Sequence, residues 1–192
     1  MKQVDRNKNL IHSNFSANFY LHWQNSHHCS FSQKGFSLIE VLIVCALIGI
    51  ISAIAVPNMA KMMRSYRLKS AASELSSVMQ LVRMTAISQN ANSVLTFNTS
   101  NQTYSAFSDN GNGGGTSNDG SQTGTEPTIK TVNISDTYFG EITFATPSFG
   151  TTITFNSQGI CNPNGTVSLQ NSIGKVIQVI ISPSGSIKIN KL

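Results

Sequence analysis

Histidine is absent beyond residue 28 and tryptophan beyond residue 23: all four histidines (His12, His22, His27, His28) and the single Trp23 fall within the first 35 of 192 residues. The rest of the chain therefore holds no catalytic or metal site that depends on imidazole. Cysteine is scarce too. Cys29, Cys45 and Cys161 lie in three different contexts, Cys45 inside an apolar run, which excludes an internal disulfide framework. Charge is the third shortage: 11% of residues are charged, against roughly 25% in ordinary soluble domains. With 40% hydrophobic residues and so few charges, the apolar side chains must be bunched. No P-loop or dinucleotide fingerprint occurs, and Cys161 sits in no nucleophile motif. Neither a cofactor nor an enzymatic activity is expected.

What is present is a long apolar run. Phe36 to Val56 reads FSLIEVLIVCALIGIISAIAV, 21 residues with one charge, Glu40. As a helix it spans roughly 30 Å, the thickness of a bilayer's hydrocarbon core. Nothing else in the chain is apolar enough to surround it, so a single membrane span is expected over residues 36–57 rather than a buried core helix. A carboxylate in hydrocarbon costs roughly 2.5 kcal/mol or more, which marks Glu40 as functional unless it snorkels to the interface. Glu40 also lies in the first turn, where the helix dipole favours negative charge. Pro57 closes the run and predicts either a helix kink or a membrane boundary.

The residues around the start of the run, Gln33-Lys34-Gly35 followed by Phe36-Ser37-Leu38-Ile39-Glu40, resemble the type IV prepilin signal. The resemblance implies a bacterial inner-membrane protein with its head in the periplasm. A prepilin peptidase is expected to cut between Gly35 and Phe36 and to methylate the new amine of Phe36. Glu40 is expected to meet the N-terminal amine of a neighbouring subunit as the helix enters a filament. Gly35, lacking a side chain, allows close approach of a protease. Residues 1–35 would then be a leader. Its His27-His28-Cys29 triplet makes a poor metal site, because adjacent histidines diverge and no second ligand pair follows. Charge counting near the membrane disagrees with the implied orientation: Lys34 alone precedes the run, whereas Lys61, Arg64, Arg67 and Lys69 follow it. Cleavage leaves nine basic and seven acidic residues, so the basic balance of the whole chain belongs partly to the leader.

Beyond Pro57, Leu68, Ala72, Leu75, Val78, Val82 and Ala86 recur at spacings of three and four, which predicts an amphipathic helix over residues 58–90. The period then changes to two. Strands are predicted near Ser93–Asn98, Thr103–Phe107, Ile129–Ile134, Glu141–Ala145, Thr151–Asn156, Thr166–Leu169, Val176–Ser182 and Ser186–Asn190, with Gly- and Pro-bearing turns between several of them. The fold class is α+β: a long N-terminal hydrophobic helix packed by its C-terminal half on antiparallel sheets, with residues 91–192 as a β-rich head. Residues 109–127 are so polar and glycine-rich that a flexible tip loop is expected. Asp109, Asp119 and Glu126 raise the alternative of a calcium site, but Gly111 and Gly113 stand where an EF-hand needs ligands.

The head itself, through Leu81-Val82-Arg83-Met84-Thr85-Ala86-Ile87 leading into Val94-Leu95-Thr96-Phe97 and the closing pair of strands, resembles the GspH minor pseudopilins of type II secretion and the related FimT-like minor pilins. The first implies assembly with other pseudopilins at the tip of a short filament that contacts secreted proteins. The second implies a minor pilin that binds DNA, with Lys188 and Lys191 as candidate phosphate contacts. The same two lysines also suit a plainer role, protection of an edge strand against aggregation.

Overall fold

The computed structural model describes residues 35–191; the expected leader before Gly35, with its histidines and Cys29, lies outside them. The chain divides into two units, Met1–Ile48 and Gly49–Leu192. One helix, α1 (Leu38–Gln89), passes from the first into the second. In the second unit its buried face is the expected stripe, Leu68, Ala72, Leu75, Val78, Val82 and Ala86, joined by Ala71 and Met79. Spacings of three and four keep these on one side of the cylinder, and Lys69, Ser73 and Gln80 stay exposed on the other. The helix ends where Asn90 turns left-handed (φ 49°) and Ala91 N–H reaches back to Ala86 O at 3.2 Å. That bond satisfies one of the last free carbonyls.

Nine strands follow: β1 (Asn92–Asn98), β2 (Thr103–Asp109), β3 (Thr128–Asn133), β4 (Ile142–Phe144), β5 (Thr152–Phe155), β6 (Cys161–Asn162), β7 (Gly165–Asn171), β8 (Val176–Ile181) and β9 (Ile187–Lys191). They form two antiparallel sheets, one ordered β3-β2-β1-β5-β6 and the other β4-β7-β8-β9. The eight expected strands are all present within a residue or two at each end. β6 and the one-turn helix α2 (Ile134–Thr137), capped by the Asn133 side chain, were not foreseen.

Both sheets and the α1 stripe share one core, which includes Leu95, Phe97, Tyr104, Ile153, Phe155, Val167, Leu169 and Val179. Phe97 of β1 is its aromatic centre, 5.7 Å from the Phe144 ring and 6.0 Å from Tyr104. Burying an aromatic of this size contributes roughly 2–3 kcal/mol. Gln102, at the tip of the β1–β2 hairpin, joins the two sheets. Its side-chain oxygen accepts from Phe144 N–H at 2.7 Å, and its Nε2 donates to Phe144 O at 3.2 Å. The amide thus pairs with the edge of β4 as another strand would.

The segment 109–127 requires a correction: it is polar, as the sequence shows, but not too polar to pack. Asp109 is fully buried and Glu126 nearly so. Asp109 accepts from the N–H groups of Asn118 and Gly120. Glu126 accepts from Gly111 N–H at 2.9 Å and Thr123 N–H at 2.8 Å. Two carboxylates therefore replace the missing apolar residues by collecting backbone donors. Glycine is required where backbone meets backbone: a Cβ on Gly124 (φ 58°) would lie 2.6 Å from Gly115 N.

Candidate functional site

The start of α1 is built locally. Ser37 precedes the helix, and its Oγ accepts from Glu40 N–H at 3.3 Å while its carbonyl accepts from Glu40 and Val41 N–H. Ser37 and Glu40 thus have the spacing of a capping box, a signal that the sequence reading missed although both residues were in view. Among the described residues nothing lies within 4 Å of a Cβ built on Gly35, and Phe36 is 81% exposed. No described residue therefore packs on either side of the expected scissile bond. From Leu38 to Val56 every large apolar side chain is exposed, and α1 is long and apolar enough to cross a membrane.

Pro57 lies inside α1, which continues through it. Proline takes away the donor that Ala53 O would otherwise receive. One residue on, Asn58 Nδ2 donates to Ile54 O at 3.2 Å, adding a side-chain bond where the ladder is weakest.

Farther along α1, two loops from one end of the second sheet meet the helix. Arg67 Nη1 lies 2.6 Å from Glu141 Oε2, and its guanidinium sits over the Phe139 ring at 5.4 Å. Tyr138 donates to Glu74 Oε2 at 2.9 Å, and burial pushes its hydroxyl pKa upward. The β7–β8 turn shares a shallow cleft with Lys61, Met62 and Ser65 through Ile173 and Lys175. Near the other end of α1, Arg83 Nε donates to Gly159 O at 3.0 Å and Nη2 to Ser184 O at 3.2 Å. Two turns of different sheets are thereby fastened to one helix.

Lys188 and Lys191 both lie on β9, the edge of its sheet, and both are exposed. Three residues apart on a strand, they project from opposite faces. Lys191 lines a cleft with Tyr66, Lys69 and Ile189. The fold does not gather the two lysines into one phosphate-binding surface. Cys161 is buried, its Sγ donating to Pro163 O, and burial pushes its thiol up to about 11. That is the opposite of the depressed pKa a nucleophile needs.

Residues 71–185, more than half of the chain, match the family described as Type II transport protein GspH. The chain belongs to the GspH family. Residues 30–56 match the prokaryotic N-terminal methylation motif. Solved structures of minor pilins are similar to parts of this pseudopilin. The type IV minor pilin FimU of Pseudomonas aeruginosa is 21% identical, with 64% of this chain and 92% of that chain covered and a TM-score of 0.45. The minor pseudopilin EpsH from the type 2 secretion system of Vibrio cholerae is 12% identical, with coverage of 65% and 97% and a TM-score of 0.45. No curated protein sequence matches significantly. The protein is a minor pseudopilin of type II secretion: a structural component rather than an enzyme, which assembles with other pseudopilins after prepilin processing. The motif and the apolar helix fit an inner-membrane anchor.

Proposed function

We propose that the pseudopilin is cut between Gly35 and Phe36, methylated on the Phe36 amine, and drawn from the inner membrane into the tip of a pseudopilus. Its head would face the periplasm and meet secreted proteins. The observation that carries this reading is the junction of a Gly35-Phe36 bond on which no described residue packs, a capped helix start and an unbroken exposed apolar surface up to Val56. A peptidase needs the first, a membrane the last.

Glu40 is the assembly residue in this reading. A carboxylate held in a membrane needs a cationic partner, and once Phe36 is freed the chemically matched group is the amine of the next subunit. Pro57 ends the span and weakens one backbone bond, so bending there adjusts the helix to a filament. The experiment is mass spectrometry of the protein from membranes containing its peptidase. A chain starting at methylated Phe36 supports the proposal, and an uncut precursor overturns it. A reporter active only in the periplasm, fused after Leu192, tests the orientation.

A further inference from the structure

Four cations follow the apolar span where charge counting expects few, and the fold shows that they are not equivalent. Arg67 is neutralised by Glu141 and covered by Phe139. Lys61 and Arg64 have no carboxylate within ion-pair distance among the described residues, and Lys61 is joined by Lys175 from the β7–β8 turn. That turn is braced by its own side chain: Asn171 Oδ1 accepts from Ile173 N–H at 3.2 Å and from Lys175 N–H at 2.9 Å. The turn presents an exposed Ile173 beside Lys175, with the exposed Met59 and Met62 on the facing helix. An apolar tip ringed by uncompensated cations is the composition of a surface that meets anionic phospholipid.

The axial position agrees. Lys61 is four residues past Pro57, so it stands roughly 6 Å beyond the end of the span, whereas Ser65, eight residues past, marks the water-facing edge of the cluster at roughly 12 Å. The headgroup zone extends about 5–8 Å from the hydrocarbon. The acidic segment around Asp109, Asp119 and Glu126 lies instead at the far end of α1, where Ser108 bonds to Gln89. Charge is therefore graded along the helix, with the basic end next to the span.

We infer that before assembly the head rests on the membrane through Ile173, Lys175 and Lys61, gripping the phosphodiester headgroups of anionic phospholipid. The inference builds on the proposed membrane anchor and explains why the cations persist on the side where charge counting disfavours them. It holds for whichever leaflet faces the head.

The test uses the full chain with Trp23→Phe, which removes its only tryptophan, in phosphatidylcholine vesicles with or without phosphatidylglycerol. Ile173→Trp reports the turn, Ser121→Trp the distal loop, and Leu47→Trp the span. Quenching of Ile173→Trp by headgroup-level nitroxide lipid is expected only with phosphatidylglycerol. It should fade with salt and weaken by roughly fivefold for each of Lys61→Ala and Lys175→Ala. If Leu47→Trp is reached by deep nitroxide while Ile173→Trp is quenched no more than Ser121→Trp, this inference falls and the anchor stands. If Leu47→Trp is not reached, both fall. Shielding that grows with protein concentration and ignores phosphatidylglycerol assigns the surface to a neighbouring subunit and overturns the inference.

Discussion

At the scale of single residues, carboxylates decide the most, and each acts through what it collects. Glu40 collects no side chain of its own head, so Glu40→Gln should leave thermal stability unchanged yet reduce co-purification with partner pseudopilins by at least roughly tenfold. Equal co-purification would remove its assembly role. Asp109 and Glu126 collect backbone N–H groups. Asp109→Asn or Glu126→Gln should each cost about 1.5–3 kcal/mol in urea denaturation, because a charge-assisted acceptor is lost at a buried site. Sequence pattern showed these acids only as candidate metal ligands or decoration of a loose loop, since their partners are main-chain groups that no residue type reveals. Cys161 sets an alkaline limit. Below about pH 9 its thiol is protonated in both states; between about 9 and about 11 the unfolded chain releases the proton that the folded chain retains. Stability should therefore fall across that window. Tyr104 and Tyr138, also pushed upward by burial, continue the loss at higher pH. Cys161→Ala should flatten the first part of the decline in urea titrations at pH 8 and 10.5.

At the scale of elements, legibility followed length. The α1 stripe and the longer strands repeat their period often enough to be read, and their places in the fold agree with that reading. β6, two residues long, carries no period, and α2 is announced only by the Asn133 cap. Long-range ties were hidden altogether: neither Gln102 on Phe144 nor Arg83 on Gly159 and Ser184 follows from spacing. Leu75→Ala, in the middle of the buried stripe, should cost about 2–5 kcal/mol, whereas Met84→Ala, 68% exposed on the same helix, should change stability by less than about 0.5 kcal/mol. Chemical denaturation of the two variants checks both. Gly185→Ala is a harsher test of the Arg83 tie: a Cβ there would fall 2.1 Å from Gly159 O and 2.7 Å from Arg83 Nε at a left-handed φ of 74°.

At the scale of the whole molecule, the fold class and the processing signal were both open to sequence reasoning, because each rests on a continuous stretch of chain. The placement of charge was not. Lys61 and Lys175 are 114 positions apart in the sequence and meet only because β7 and β8 turn back against α1. Replacing Gly35 by a bulky residue such as Leu should leave the leader attached and the amine unmethylated, seen as a slower-migrating band and as the precursor mass. The folded head should be unaffected, since no described residue packs on Gly35.

Segment 109–127 takes its shape from main chain clasped by two acids and from glycines in mutual contact. The exposed side chains of Thr116, Ser117 and Ser121 take no part in those clasps. Such a frame holds its outline while its lettering changes, so randomised residues at these three positions would make a display library on a scaffold that does not need re-engineering.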